Sequence, residues 1–400
     1  MTQTGSRPRA LLYLIPFLLL LGGCWDRTEL NDLAIITALA LDVAEDGNIR
    51  TTVQIIIAQN QGGGGQQLGT NSSGGGKRTV VRSATGADIA DALSKLQRLS
   101  PRRLFWGQSK IFIFSEAVAR TGIQKHLDFL LRFPKSREQG YVFVSKGKAM
   151  DVLDLFPQIE RSTSEVLREL NDLEVGMRVT LQQLSGMLTG EARSAGLPII
   201  YILPKGKSAE PFQTIPYLVG TAVFKEDKMI GSISEKTTRG LMWLRNEIEE
   251  YTVVFKVPGT EGIVSLRPIK ADIKLIPSID NEKWTMTVKV KTQGDIVQNG
   301  TRLNPVDPEV IKIMDKAFGK EVEERIHMAL QEVQTRLKAD LFGFATEFHR
   351  KYPKQWDLVK ENWEQKFPEI KVNIDIQAQI QRTGSINFPG GLPDEGGHEE

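Results

Sequence analysis

The pattern of apolar and polar positions changes character several times along the chain. A short basic head with Arg7 and Arg9 precedes an apolar run, Ala10 to Leu21, broken only by Pro16. A bilayer-spanning helix needs roughly 20 apolar residues, and this run is shorter. It has the length and flanks of a secretory signal's core. Beyond it, Ala34 to Asp42 and Arg50 to Ala58 flank Asp46-Gly47-Asn48 and predict a β-hairpin, with Val53, Ile55 and Ile57 on one face. Residues 59–78, with Gly62 to Gly65 and Gly74 to Gly76, predict a flexible surface loop.

Helical spacing takes over after Thr85-Gly86-Ala87-Asp88, which reads as a capping box for a helix carrying Ile89, Ala92, Leu93, Leu96 and Leu99. Pro101 stops it. Lys110 to Phe114 and Tyr141 to Ser145 are strand-like, and between them Ser115 caps one helix and Gly122 separates it from another, Ile123 to Leu131. Ser162-Thr163-Ser164-Glu165 is a second capping box, for a helix ending near Leu173. Val179 to Leu188 predicts a helix and Leu197 to Leu203 a strand. This alternation makes residues 24–205 an α/β-type unit. The polar, proline-containing stretch Pro204 to Pro216 marks the main domain boundary, near residue 205.

The second half, 206–388, reads differently. Tyr217 to Phe224 and Met229 to Ile233 predict a hairpin around Lys225-Glu226-Asp227-Lys228, followed by a short helix near Arg239 to Leu244. Strands follow at Tyr251 to Val257, Gly262 to Pro268, Ala271 to Ile279 and Trp284 to Lys291; in the last, Trp284, Met286, Val288 and Val290 alternate with Thr and Lys, the mark of a sheet with one wet face. Apolar residues from Val310 through Met314, Val322, Ile326, Val333 and Leu341 to Phe348 recur every three or four positions, predicting one long helix over about 308–351. Gly319 and Gly343 are its candidate breaks. Unbroken from Lys320 to Arg350, it would run about 45 Å and need something large to lie on: the sheet before it or, as the alternative, a partner in a coiled coil. Gln355 to Lys366 predicts an amphipathic helix, Val372 to Gln381 a half-buried strand, and 389–400 a disordered tail. The fold class expected is α+β and multi-domain, with mixed or antiparallel sheets and a long C-terminal helix packed on one of them.

Composition narrows the setting. The 400 residues allow two or three domains. A net charge of +2 gives no large pull toward nucleic acid. Cys24 is the single cysteine, so no internal disulfide forms. Leu21-Gly22-Gly23-Cys24 is a lipobox pattern: cleavage removes residues 1–23 and Cys24 carries lipid on its sulfur. Two acyl chains give a stable anchor where one gives only reversible binding. The expected partner through Cys24 is therefore a membrane.

Catalytic chemistry is hard to find. His126, His327, His349 and His398 are scattered, without metal-ligand spacing. The glycine-rich stretch fails the phosphate-loop pattern, since Asn71 stands at the first glycine and Arg78 at the Ser/Thr. Ser145-Lys146-Gly147-Lys148 fits S-x-x-K but lacks its companion motifs. No enzyme activity, cofactor or metal is expected. Two stretches are candidate contacts with a partner or the membrane. One is Trp25, Asp26, Arg27 and Glu29, next to the anchor; its alternative is a charged tether. The other is Arg103 and Trp106, with Arg102 and Phe105 beside them; its alternative is a basic loop packed by its own aromatics.

These landmarks fall in an order that resembles one family. Cys24-Trp25-Asp26-Arg27-Thr28-Glu29-Leu30-Asn31, Pro101-Arg102-Arg103-Leu104-Phe105 with Lys110, and Asp128-Phe129-Leu130-Leu131-Arg132 with Pro134 and Arg137 are similar to the first half of the Ger(x)C spore germination lipoproteins. Gly220-Thr221-Ala222-Val223-Phe224-Lys225 with Gly231, Thr238-Arg239-Gly240-Leu241-Met242-Trp243-Leu244, Asp340-Leu341-Phe342-Gly343-Phe344, Tyr352-Pro353-Lys354-Gln355-Trp356, Trp363, Phe367-Pro368 and Arg382-Thr383-Gly384 resemble the second. The length of the glycine-rich insert departs from that pattern. The resemblance implies three α+β domains, no enzymatic activity, and a role as the C subunit of a nutrient germinant receptor, on the outer face of the spore inner membrane beside two multispanning subunits. The alternative is a solute-binding lipoprotein of a transporter, which would carry a deep cleft lined by aromatics.

Overall fold

The computed structural model describes residues 32–56, 79–133, 138–174, 176–206, 213–248 and 251–382. The signal segment, the glycine-rich stretch and the 389–400 tail lie outside them.

Nine strands form the larger sheet: β1 (Leu33–Val43), β2 (Ile49–Ile56), β3 (Thr79–Gly86), β4 (Arg103–Phe105), β5 (Ile111–Ser115), β6 (Tyr141–Ser145), β7 (Ser194–Ile202), β8 (Pro216–Lys225) and β9 (Lys228–Ser234). Their order is β3-β2-β1-β5-β6-β7-β8-β9, with β4 also on β1. The centre, β1-β5-β6-β7, is parallel, and the antiparallel pairs β1-β2-β3 and β7-β8-β9 flank it. Helices cover both faces of this centre, which is why β5 and β6 are unbroken apolar runs. Alternate side chains serve two cores. Phe112, Phe114, Val142 and Val144 face one way. Ile111, Ile113 and Phe143 face the other, against Ala149, Val152, Leu153 and Leu167.

The predicted hairpin, both strands around Ser115, and the Ser115 and Ser162 caps are where the sequence puts them. The first capping box is displaced by three residues. Thr85 and Gly86 end β3, and Asp88 is the cap: it accepts from Asp91 N at 2.8 Å, while Asp91 accepts from Ala87 N at 3.0 Å. Gly86 pairs with Ile49, so the sheet claims it before the helix can. The strands on the two sides of the expected boundary near 205, β7 and β8, are antiparallel neighbours in the same sheet.

The second sheet is β10 (Val253–Phe255), β11 (Val264–Asp280), β12 (Lys283–Asn299) and β13 (Lys371–Arg382), in that order. The two segments expected at 262–268 and 271–279 are one strand, irregular between Pro268 and Lys270. Asn281 and Glu282 both take positive φ in the turn before β12, the primed geometry that matches strand twist. The α-helix Pro308–Ala329 lies on this sheet, with Phe318 stacked on Phe255 at 6.0 Å between ring centres and Gly319 beside Ile376 and Ala378 of β13.

That helix does not run on to 351. It becomes a π-helix over Leu330–Arg336, breaks, and restarts as the α-helix Phe344–Lys351. At about 1.5 Å per residue, its 22-residue α-helical part spans about 33 Å. Two residues explain the break. Buried Gln334 donates from Nε2 to Phe367 O (2.8 Å) and Ile370 O (2.9 Å), which ties the widened turn to the start of β13. Gly343, at φ 85°, takes the left-handed turn that lets the chain restart. Gly319, the other candidate, sits inside continuous helix.

Candidate functional site

The chain meets the large sheet at Leu33, and β4 joins it there in parallel: Leu33 pairs with Arg103, Ala34 with Leu104, Ile35 with Phe105. Helix Ile89–Arg98 descends from the far end of β3 to deliver the chain to β4. Gln97 fastens the junction, its Nε2 donating to Arg102 O and its Oε1 accepting from Leu104 N, both at 3.0 Å. Ser100 Oγ donates to Arg102 O at 2.8 Å. The loop is therefore held from within, by local bonds that leave its side chains free to point outward.

Arg103 and Trp106 take opposite roles in it. Arg102, Arg103 and Phe105 are exposed. Trp106 is only 5% exposed and meets Phe133 edge-on at 5.6 Å; Phe133 in turn stacks on Phe129 at 5.3 Å. Trp106 thus shapes the loop from inside, and the surface belongs to the arginines. Cys24, Trp25, Asp26, Arg27 and Glu29 lie outside the described residues.

The second-half landmarks converge elsewhere. Asp340 is buried and accepts four backbone N–H bonds, from Phe342, Gly343, Phe344 and Ala345, and one from Trp363 Nε1 at 3.2 Å. Burial raises its pKa, and the backbone donors oppose that rise. Around it lie Phe342, Phe344, Phe348, Trp356, Trp363 and Phe367, with ring centres 4.9 to 6.1 Å apart between neighbours, and Trp284 comes to 4.6 Å of Phe348. This is a carboxylate-capped aromatic hub, and its chemistry is structural.

The hub also joins the two halves of the chain. His349 Nδ1 lies 2.7 Å from Glu191 Oε1 of the first half, and within the second half Arg245 donates to Leu341 O at 2.9 Å. A cavity of about 300 Å³ opens beside these contacts, lined by Arg178, Gln183, Glu191, Arg245, Asp340 and Thr346 among others. Its lining has no aromatic ring, unlike the aromatic cleft a solute-binding protein would carry. Among the described residues no three His, Cys, Asp or Glu side chains are placed to hold a metal. No helix among them is long and apolar enough to cross a membrane.

Sequence reasoning found Arg103 but not its neighbour strand. β4 is three residues long, and its partner in β1 is about 70 positions away by count of the chain. β3 was missed as well; Thr79, Val80 and Val81 favour a strand, but Ser83, Ala84 and Gly86 dilute the signal.

Two family models match the chain: "Spore germination protein N-terminal domain" over residues 26–202 and "Spore germination B3/GerAC like, C-terminal" over 219–384. Spore germination protein KC of Bacillus subtilis (strain 168) is 31% identical over 390 residues, covering 93% of this chain and 94% of that protein. Spore germination protein B3 of the same organism is 22% identical, covering 96% and 99%. The crystal structure of the GerBC protein matches with a TM-score of 0.55 at 18% identity, over 86% of this chain and 96% of that one.

Proposed function

The chain belongs to the Ger(x)C family of spore germination proteins, and from that premise we propose that it is the lipid-anchored, non-enzymatic C subunit of a nutrient germinant receptor. It works beside two multispanning membrane subunits on the outer face of the spore inner membrane. The observation that carries the reading is the placement of the single cysteine: Cys24 closes a lipobox and stands nine residues before the first residue of the large sheet, Leu33. An acylated N-terminus there leaves the two-sheet body outside the bilayer and within reach of membrane partners. Candidate contacts of the tether are Trp25, Asp26, Arg27 and Glu29, with Trp25 suited to the headgroup interface.

Cys24→Ala tests this. The substituted chain should move from the membrane to the soluble fraction, and spores carrying it should lose the nutrient response served by the receptor. Full membrane retention with an intact response overturns the anchor.

A further inference from the structure

Resting on the anchored reading, we infer that the corner of the large sheet where the chain enters is a lipid-facing surface for anionic headgroups. The corner is built from three segments. β1 begins there, β4 flanks it, and helix Ile89–Arg98 ends there, held by the Gln97 bonds to Arg102 and Leu104. It also projects. β5 joins β1 only at Ala38, five residues beyond Leu33, so the corner extends about 16 Å past that point at about 3.3 Å per residue.

Its composition fits a lipid surface. Arg98, Arg102 and Arg103 are exposed, and none forms an ion pair with a described residue; Asp32 is the exposed acid beside them. Large apolar side chains stand among them: Leu99 is 65% exposed, Phe105 39% and Ile56, opposite Ile35 in β2, 37%. Farther along the edge, beside Tyr141, Arg168 and Arg178 are paired with Glu169, Asp172 and Glu174, so that part neutralises itself. Cations without an ion pair among the described residues, interleaved with apolar side chains, are what a protein offers to anionic headgroups over an acyl layer. Tether length adds an argument: the nine residues from Cys24 to Leu33 reach at most about 30 Å, which keeps this corner within that distance of the anchor.

The test uses the full chain purified from membranes and returned to vesicles. Leu99→Cys, labelled with a polarity-sensitive thiol dye, reports the corner; Val43→Cys, 40% exposed at the other end of β1, is the control. On phosphatidylglycerol vesicles the dye at 99 should shift blue and brighten while that at 43 does not, and on phosphatidylcholine the response should fall. Each basic side chain near an anionic surface is worth about fivefold, so R102E with R103E should cut the lipid-facing population by about 25-fold or more. A dye at 99 that stays aqueous overturns the inference, as does one shielded only in native membranes with the receptor's other subunits, which marks a protein contact. A response indifferent to lipid charge and to the double reversal overturns it too. The premise fails separately: if the unsubstituted chain reacts with the dye, Cys24 is a free thiol and the anchor reading falls whatever the corner does.

Discussion

The corner where the chain enters the large sheet and the Asp340 hub are both polar features organised by short loops, yet they are opposites. At the corner, backbone bonds are satisfied internally by Gln97 and Ser100, and the charges face out. At the hub, one charge faces in and five donors close over it. The landmarks that carry the family resemblance include both. A recurring residue is therefore no guide by itself to which surface does the work: Arg103 is available to a partner, whereas Asp340, Trp363 and Gly343 hold the fold in place.

Asp340→Ala is the largest expected break in that comparison. It leaves four buried backbone N–H groups and an indole N–H without their acceptor, and each orphaned buried donor costs about 1–3 kcal/mol. Some relaxation is expected, so urea unfolding should show a loss of about 3–5 kcal/mol. Asp340→Asn can keep the oxygen that serves Phe342, Gly343 and Phe344 and should lose about half as much. The pH dependence follows from burial raising the Asp340 pKa. The native state then holds this proton more tightly than the unfolded chain, so this group's contribution falls as pH rises from the ordinary carboxylate range through the raised value. In Asp340→Asn that slope should vanish. A stable Asp340→Ala chain would place the hub alongside the corner as surface chemistry.

Gly240→Ala comes next. Gly240 lies in the helix Glu235–Leu244, and a Cβ there would come 2.0 Å from the Arg325 carbonyl oxygen on the helix Pro308–Ala329. Backbone cannot step aside as a flexible side chain can. Overpacking costs about 1–3 kcal/mol, against a helical gain of about 1 kcal/mol for Ala over Gly. Because the clash is with backbone, its cost belongs at the top of that range, about 3 kcal/mol, and thermal unfolding should register a net loss of about 2 kcal/mol. An unchanged melting temperature would mean these helices are not in the close contact described.

Most of the framework was legible in the sequence because it is set locally. Ser115, Ser162 and Thr180 each cap a helix through a residue three positions on. The Asn281-Glu282 turn lies between two strands whose alternation is plain. What escaped is set at a distance. The helix Ala149–Leu153 is barely more than a turn, and its first amides are held by Asp42, whose carboxylate oxygens lie 2.7 and 2.9 Å from Ala149 N and Met150 N. Nothing near residue 149 announces that. The apolar period across 330–341 likewise continues through the break, because Gln334 and Asp340 interrupt the helix by bonding to Phe367, Ile370 and Trp363, far along the chain. At the candidate site, Arg103 and Trp106 were both visible as a cluster, but their division into outer and inner residues depends on the packing of Trp106 against Phe133.

Arg103→Ala is the smallest expected effect and the sharpest on the corner. The side chain is exposed and forms no ion pair with a described residue, and β4 pairs with β1 as a parallel ladder. Surface substitutions of this kind stay within about 0.5 kcal/mol, so denaturation should not separate Arg103→Ala from the unsubstituted chain. Trp106, three residues on and 5% exposed, supplies the internal standard, since truncating a buried Trp costs about 3–5 kcal/mol. If Arg103→Ala destabilised the fold as Trp106→Ala does, Arg103 would be part of the loop's internal support, and the corner would resemble the hub after all. A stability-neutral Arg103→Ala whose spores nonetheless germinate more slowly would assign that arginine to what the corner touches.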